Sequence, residues 1–241
     1  MFRSSNPFMK NVGAGVAGAF DTTGVMSFDG FINKAGILLA VLVLSFAFVM
    51  SNMHIAGAVI LPSAIIGFIL ALMTMFMPGI AHITAPLYAL CEGALLGGVS
   101  GYYEARFGGI VSQAVMLTFG VFGAMLFIYK ARIVRVTEKF KSIMLAALIG
   151  IAITYLVSFV AGLCGLHLPL FSTGPIGIGV SLLVTGIAAF SLLLDFDRIE
   201  NAIGNAPKQM EWYSAFGLLV TLVWLYMEIL RLLMIMQSSR D

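Results

Sequence analysis

The 241-residue chain is 61% hydrophobic and only 10% charged, where a soluble globular domain is nearer half apolar and one quarter charged. Together with a mean hydropathy of +1.05, this excludes a water-soluble domain. Thirteen Lys/Arg against 11 Asp/Glu leave a net charge of +2, without the strong basic face that a nucleic-acid binder needs.

A membrane-crossing helix needs roughly 20 apolar residues, because each adds ~1.5 Å through a ~30 Å hydrocarbon layer. Seven stretches meet this: about Ala35–Asn52, Ile55–Met77, Ile83–Tyr103, Gly109–Tyr129, Ser142–Leu166, Leu168–Leu194 and Tyr213–Met236. No ten-residue alternation of polar and apolar positions suggests an outer-membrane barrel. The expectation is an all-α membrane protein, a seven-helix bundle spanning residues 35–236. A cytosolic N-terminal arm (1–34) would precede it and a short tail (237–241) would follow. The arm carries no apolar core of signal-peptide length, and no internal repeat supports an inverted-repeat transporter.

Basic residues set the orientation. With the N-terminus inside, Arg3, Lys10 and Lys34, the loop with Lys130, Arg132, Arg135, Lys139 and Lys141, and the segment with Arg198 and Lys208 all face the cytoplasm. Only Arg106 and Arg240 are left outside, and Arg231 lies within span seven. The basic 4–5 loop also suits anionic lipid heads, although a topology signal is its commoner role.

Charges inside spans are costly and normally face a bundle interior or a water-filled cavity. Glu92 sits mid-way in span three, Glu228 past the middle of span seven, and Asp195 and Asp197 at the inner end of span six, followed by Arg198 and Glu200. Each has a plainer reading. Asp197 and Glu200 suit a solvated helix end, Glu228 pairs with Arg231 one turn on, and Glu92 suits a hydrogen-bonded structural carboxyl. Taken together they favour a proton or cation path. Beside Glu92, the four-residue spacing of Gly93, Gly97 and Gly101 predicts close helix packing.

Other motifs carry less. Gly98-Val99-Ser100-Gly101 matches a rhomboid-type serine motif, but the nearest candidate base is His167 in the 5–6 loop. No span holds the lysine of a retinal Schiff base. The run Gly174-Pro175-Ile176-Gly177-Ile178-Gly179 lacks the strand-to-helix context of a phosphate loop. Cys91 and Cys164 lie in apolar runs without disulfide or metal-ligand spacing. Asn205 to Pro207 reads as a turn into the last helix with Pro early in it, and Trp212 and Tyr213 suit an interfacial aromatic belt.

The run Leu193-Leu194-Asp195-Phe196-Asp197-Arg198-Ile199 resembles the signature of the Bax-inhibitor (transmembrane Bax inhibitor motif) family. So do Glu92-Gly93 and the stretch Leu225-Tyr226-Met227-Glu228-Ile229-Leu230-Arg231-Leu232-Leu233. The opening Met26 to Lys34 resembles bacterial members, and the likeness extends over roughly residues 25–236. It implies a bundle with the last helix central, acting as a pH-sensitive calcium leak in the bacterial plasma (inner) membrane, with the N-terminus cytoplasmic. Such a protein is not an enzyme and has no cofactor; Ca²⁺ is its cargo, H⁺ its regulator and membrane lipid its surroundings.

The family's sensor is an acidic pair on helices six and seven. Carried over, Asp195 is the helix-six member, and helix seven offers either Glu228 or, with the alignment slid to match Arg231, Thr221. Asp195 and Glu228 would then give weak transit ligation to Ca²⁺, as oxygen donors suit a hard cation, and a close pair would titrate as one coupled unit. A separated ladder with Glu92 is the other arrangement. The basic latch that some family members carry on helix two is missing from span two, and Arg231 could substitute for it. The competing implication is a membrane-embedded regulator that binds another membrane protein, such as a protease or stress-response complex, through the N-terminal arm and the 6–7 segment.

Overall fold

The computed structural model describes residues 24–164 and 174–238. Seven helices follow in chain order: α1 (Phe28–Ser51), α2 (Met53–Phe76), α3 (Ala81–Arg106), α4 (Ile110–Lys130), α5 (Glu138–Leu163), α6 (Pro175–Ala202) and α7 (Met210–Ser238). A single 3₁₀ turn, Pro78–Ile80, joins α2 to α3. All seven helices are long and apolar enough to cross a membrane, and each expected span overlaps one of them. Helices are what such a sequence must form, since lipid offers no partner to an unpaired backbone N–H or C=O.

The packing follows side-chain size. α3 lies against both α1 and α2 along its glycine face, and α7 packs on α6, α1, α4 and α3. Half of the apolar window of α7 is buried (50%), against 6% for α5. The last helix is therefore the central one, and α5 sits at the edge on α6. Gly93 and Gly97 meet the carbonyls of Leu42 and Phe46 so closely that a Cβ at either would overlap α1 backbone. The close approach expected of these glycines is thus observed.

The connections are short and capped. Asn52 alone separates α1 from α2, its side chain donating to the Phe48 carbonyl at 2.8 Å. Thr74 donates to Thr84 at 2.7 Å across the α2–α3 turn. At the α3–α4 corner Gly109 adopts φ +83, a left-handed conformation that glycine tolerates without a Cβ clash. There Glu104 accepts from the N–H groups of Gly109 (2.7 Å) and Val111 (2.9 Å), placing a carboxylate at the positive end of α4.

Three boundaries differ from the sequence expectation. α1 starts at Phe28 rather than Ala35, because Ser27 caps it by accepting from Gly30 N–H at 3.0 Å and Lys34 finds an acidic partner (below). Residues 24–34 therefore belong to the folded body; residues 1–23 lie outside the described residues. α6 begins at Pro175 and runs past Leu194 to Ala202, because its acidic residues pair with α4 and α5 instead of ending the helix; the expected start at Leu168 lies outside the described residues. Pro207 precedes α7 rather than opening it: Val25 pairs with Pro207 in an isolated antiparallel bridge. Met26 N–H donates to Ala206 at 2.8 Å and Gly204 N–H to Met26 at 2.9 Å. The chain before α1 thus forms a strap across the α6–α7 connection.

Candidate functional site

The intramembrane carboxylates fall into three separate settings. Asp195 lies two turns inside the end of α6, its side chain 13% exposed and 4.0 Å from the Arg198 guanidinium. Thr221 of α7 is a polar neighbour of its carboxylate, with the Thr221 hydroxyl donating to the Gly217 carbonyl at 3.3 Å. Oδ2 of Asp195 is buried with no hydrogen-bond donor placed on it among the described residues.

Helix register explains why Thr221 and not Glu228 meets Asp195. α7 starts at Met210, so Thr221 lies about 16 Å and Glu228 about 27 Å along it, whereas Asp195 is about 10 Å from the end of α6. Of the two helix-seven alternatives, the structure brings Thr221 to Asp195 and leaves Glu228 two turns away.

Glu228 is buried against α5, where it accepts from the Tyr155 hydroxyl. Arg231 lies 3.9 Å from Glu228 and donates to Tyr155 at 3.4 Å. This is the one-turn ion pair expected from spacing, with a tyrosine added from another helix. Glu92 occupies a third place, half-buried on the α2 side of α3, where its Oε2 stands opposite Gly67.

The remaining charges near Asp195 hold helices together. Asp197 pairs with Lys141 of α5 at 3.1 Å, and Lys141 also reaches Glu138 at 3.1 Å. Glu200 accepts from Tyr129 of α4. Ser100, the serine of the rhomboid-like run, is fully buried and shares a 2.7 Å hydrogen bond with Tyr226, so it ties α3 to α7; His167 lies outside the described residues. Cys91 is half-buried and Cys164 exposed, both free thiols. Among the described residues no three His, Cys, Asp or Glu side chains gather into a metal-holding group.

The most extensive polar network is one that sequence reasoning missed. Glu211, fully buried in the first turn of α7, accepts from the backbone N–H of Ser27 at 2.9 Å and its hydroxyl at 3.1 Å. It forms an ion pair with Lys34 at 2.5 Å, and Lys34 stands 5.8 Å over the Trp212 ring. Gly30 admits this carboxylate, since a Cβ there would overlap it. The available signals were an acidic residue in a helix's first turn and a lysine at the edge of span one. Nothing local joins two residues 177 positions apart.

A helical bundle with a central last helix and carboxylates within α3, α6 and α7 defines a polytopic, seven-span membrane protein. Its family is shown by the sequence match: the family model described as Bax inhibitor 1 like covers residues 3–238, nearly the whole chain, and the chain belongs to that family. Neither the curated proteins nor the solved structures give a match.

Proposed function

We propose that this protein is a cation leak that passes Ca²⁺ or a similar hard cation down its gradient, with Asp195 as the proton-responsive group, and that it performs no covalent chemistry. In this reading it lies in a bacterial plasma membrane with its N-terminus in the cytoplasm. The observation that carries the proposal is the Asp195 carboxylate, held between α6 and the central α7, beside Thr221, with one buried oxygen lacking a donor among the described residues. Such a group is expensive in a membrane interior unless it is used. Its oxygens suit a cation in transit, and protonation removes the charge that attracts that cation. Glu228, tied to Tyr155 and Arg231, acts as a structural group under this proposal, and Arg231 is occupied there rather than latching Asp195.

The test is Ca²⁺ influx into liposomes carrying the purified chain, between roughly pH 6 and 8. Flux should vary with pH in the parent chain, and Asp195→Asn should make it independent of pH. Glu228→Gln should keep the pH response while lowering thermal stability. A pH response unchanged by Asp195→Asn would remove Asp195 from the mechanism. Folded protein with no flux above empty liposomes would replace the leak with a regulator of another membrane protein, docking through the N-terminal arm and residues 203–209.

A further inference from the structure

α1 and α4 make no extensive contact with each other, and the space between them is an apolar groove floored by α6 and α7. It consists of two adjoining cavities of about 570 and 400 Å³, each within the size range of pockets that bury small molecules. Leu39 of α1, Phe119 of α4, and Leu219 and Leu222 of α7 line both, so the two form one channel along the α1–α4 seam. One end opens beside Lys130 and Glu200. Leu96 of α3 and Tyr226 of α7 line the other.

We propose that this groove holds one acyl chain of an anionic phospholipid, with the phosphodiester on Lys130 and Arg132. Along α4 the groove runs from Lys130 to Val115, 15 helical residues or about 22 Å, and along α1 from Phe28 to Phe46, 18 residues or about 27 Å. Both fall short of the ~40–45 Å of a bilayer with its headgroups. The groove thus suits a lipid tail entering from one side better than a transmembrane partner, which would need a seam running the full thickness.

Charge decides for an anionic head. Lys130 lines the mouth and exposed Arg132 and Arg135 follow it in the loop, so three cations outnumber the one carboxylate lining it, Glu200, which accepts from the Tyr129 hydroxyl. Basic residues at a membrane surface attract anionic lipid, and here the first of them, Lys130, lines an apolar slot that fits the tail.

The experiment uses the full chain reconstituted in vesicles of equal phosphatidylglycerol and phosphatidylethanolamine, extracted in mild detergent and weighed by native mass spectrometry. One phosphatidylglycerol should be retained in preference to phosphatidylethanolamine, and Lys130→Gln or Arg132→Gln should each weaken retention about fivefold. Ala35→Trp, which fills the groove, should abolish retention, whereas Ile149→Trp on the outward face of α5 should leave it unchanged. A photoactivatable phosphatidylglycerol should label α1 and α4 of the unaltered chain, a readout independent of how any variant folds. Equal retention of both lipids, retention unaffected by Ala35→Trp in folded protein, label concentrated on α2 or α5, or a polypeptide cross-linked in the groove would each overturn the proposal.

Discussion

Glu211 shows how a single buried charge fixes the entry into the bundle. Its carboxylate has three donors, the Ser27 N–H, the Ser27 hydroxyl and Lys34, and no exposure of its own. A buried ion pair contributes modestly relative to an apolar substitute, but removing one partner strands the other charge. Lys34→Met should therefore lower stability by about 3 kcal/mol, read as a fall in the thermal unfolding midpoint in detergent. The double variant Lys34→Met/Glu211→Leu should recover a large part of that loss, because no charge is then left buried. A double variant as unstable as the sum of the single ones would show that the pair does not act as a unit. Lys34 was read from sequence as a topology signal, which it can be while also meeting Glu211.

Helix α3 owes its position to glycines whose surroundings differ. At Gly93 and Gly97 an added Cβ meets α1 backbone at Leu42 and Phe46; at Gly98 and Gly101 it meets the side-chain ends of Ile60 and Met53. Backbone cannot swing away, so Gly93→Ala and Gly97→Ala must push α1 off α3 and should cost about 1–3 kcal/mol. Gly120→Ala on α4 has open space around it and should be neutral or stabilising by up to about 1 kcal/mol, since alanine is the better helix former. Thermal unfolding of the three variants side by side checks this, and equal midpoints would remove the close-contact account. The four-residue spacing was legible in the sequence; that Gly93 and Gly97 face α1 while Gly98 faces α2 depends on where those helices lie.

For the whole molecule, the distribution of Lys and Arg predicts the N-terminus and the 4–5 loop on one side and the 3–4 corner on the other. With Cys91 and Cys164 replaced by serine, Arg132→Cys should react with an impermeant thiol reagent only from the cytoplasmic side and Arg106→Cys only from the opposite side. The reverse pattern would invert the orientation proposed here, and with it the leaflet that supplies the lipid. The sequence by itself determined seven helices, their order and the small-residue face of α3, because an apolar run in lipid has no structure but a helix open to it and hydropathy is a local property. It also identified Glu92 and Glu228 as acids inside spans and Asp195 at the inner end of span six, which the structure extends to Ala202. Only the tertiary structure decided what each acid meets: Thr221 for Asp195, Tyr155 and Arg231 for Glu228, Gly67 for Glu92. Every residue gained at a helix end moves later side chains by ~1.5 Å and turns them by about a quarter of a circle. The early start of α7 and the late end of α6 therefore set the pairing, and the strap that fixes α7 joins residues too far apart in the chain for any local pattern to announce them.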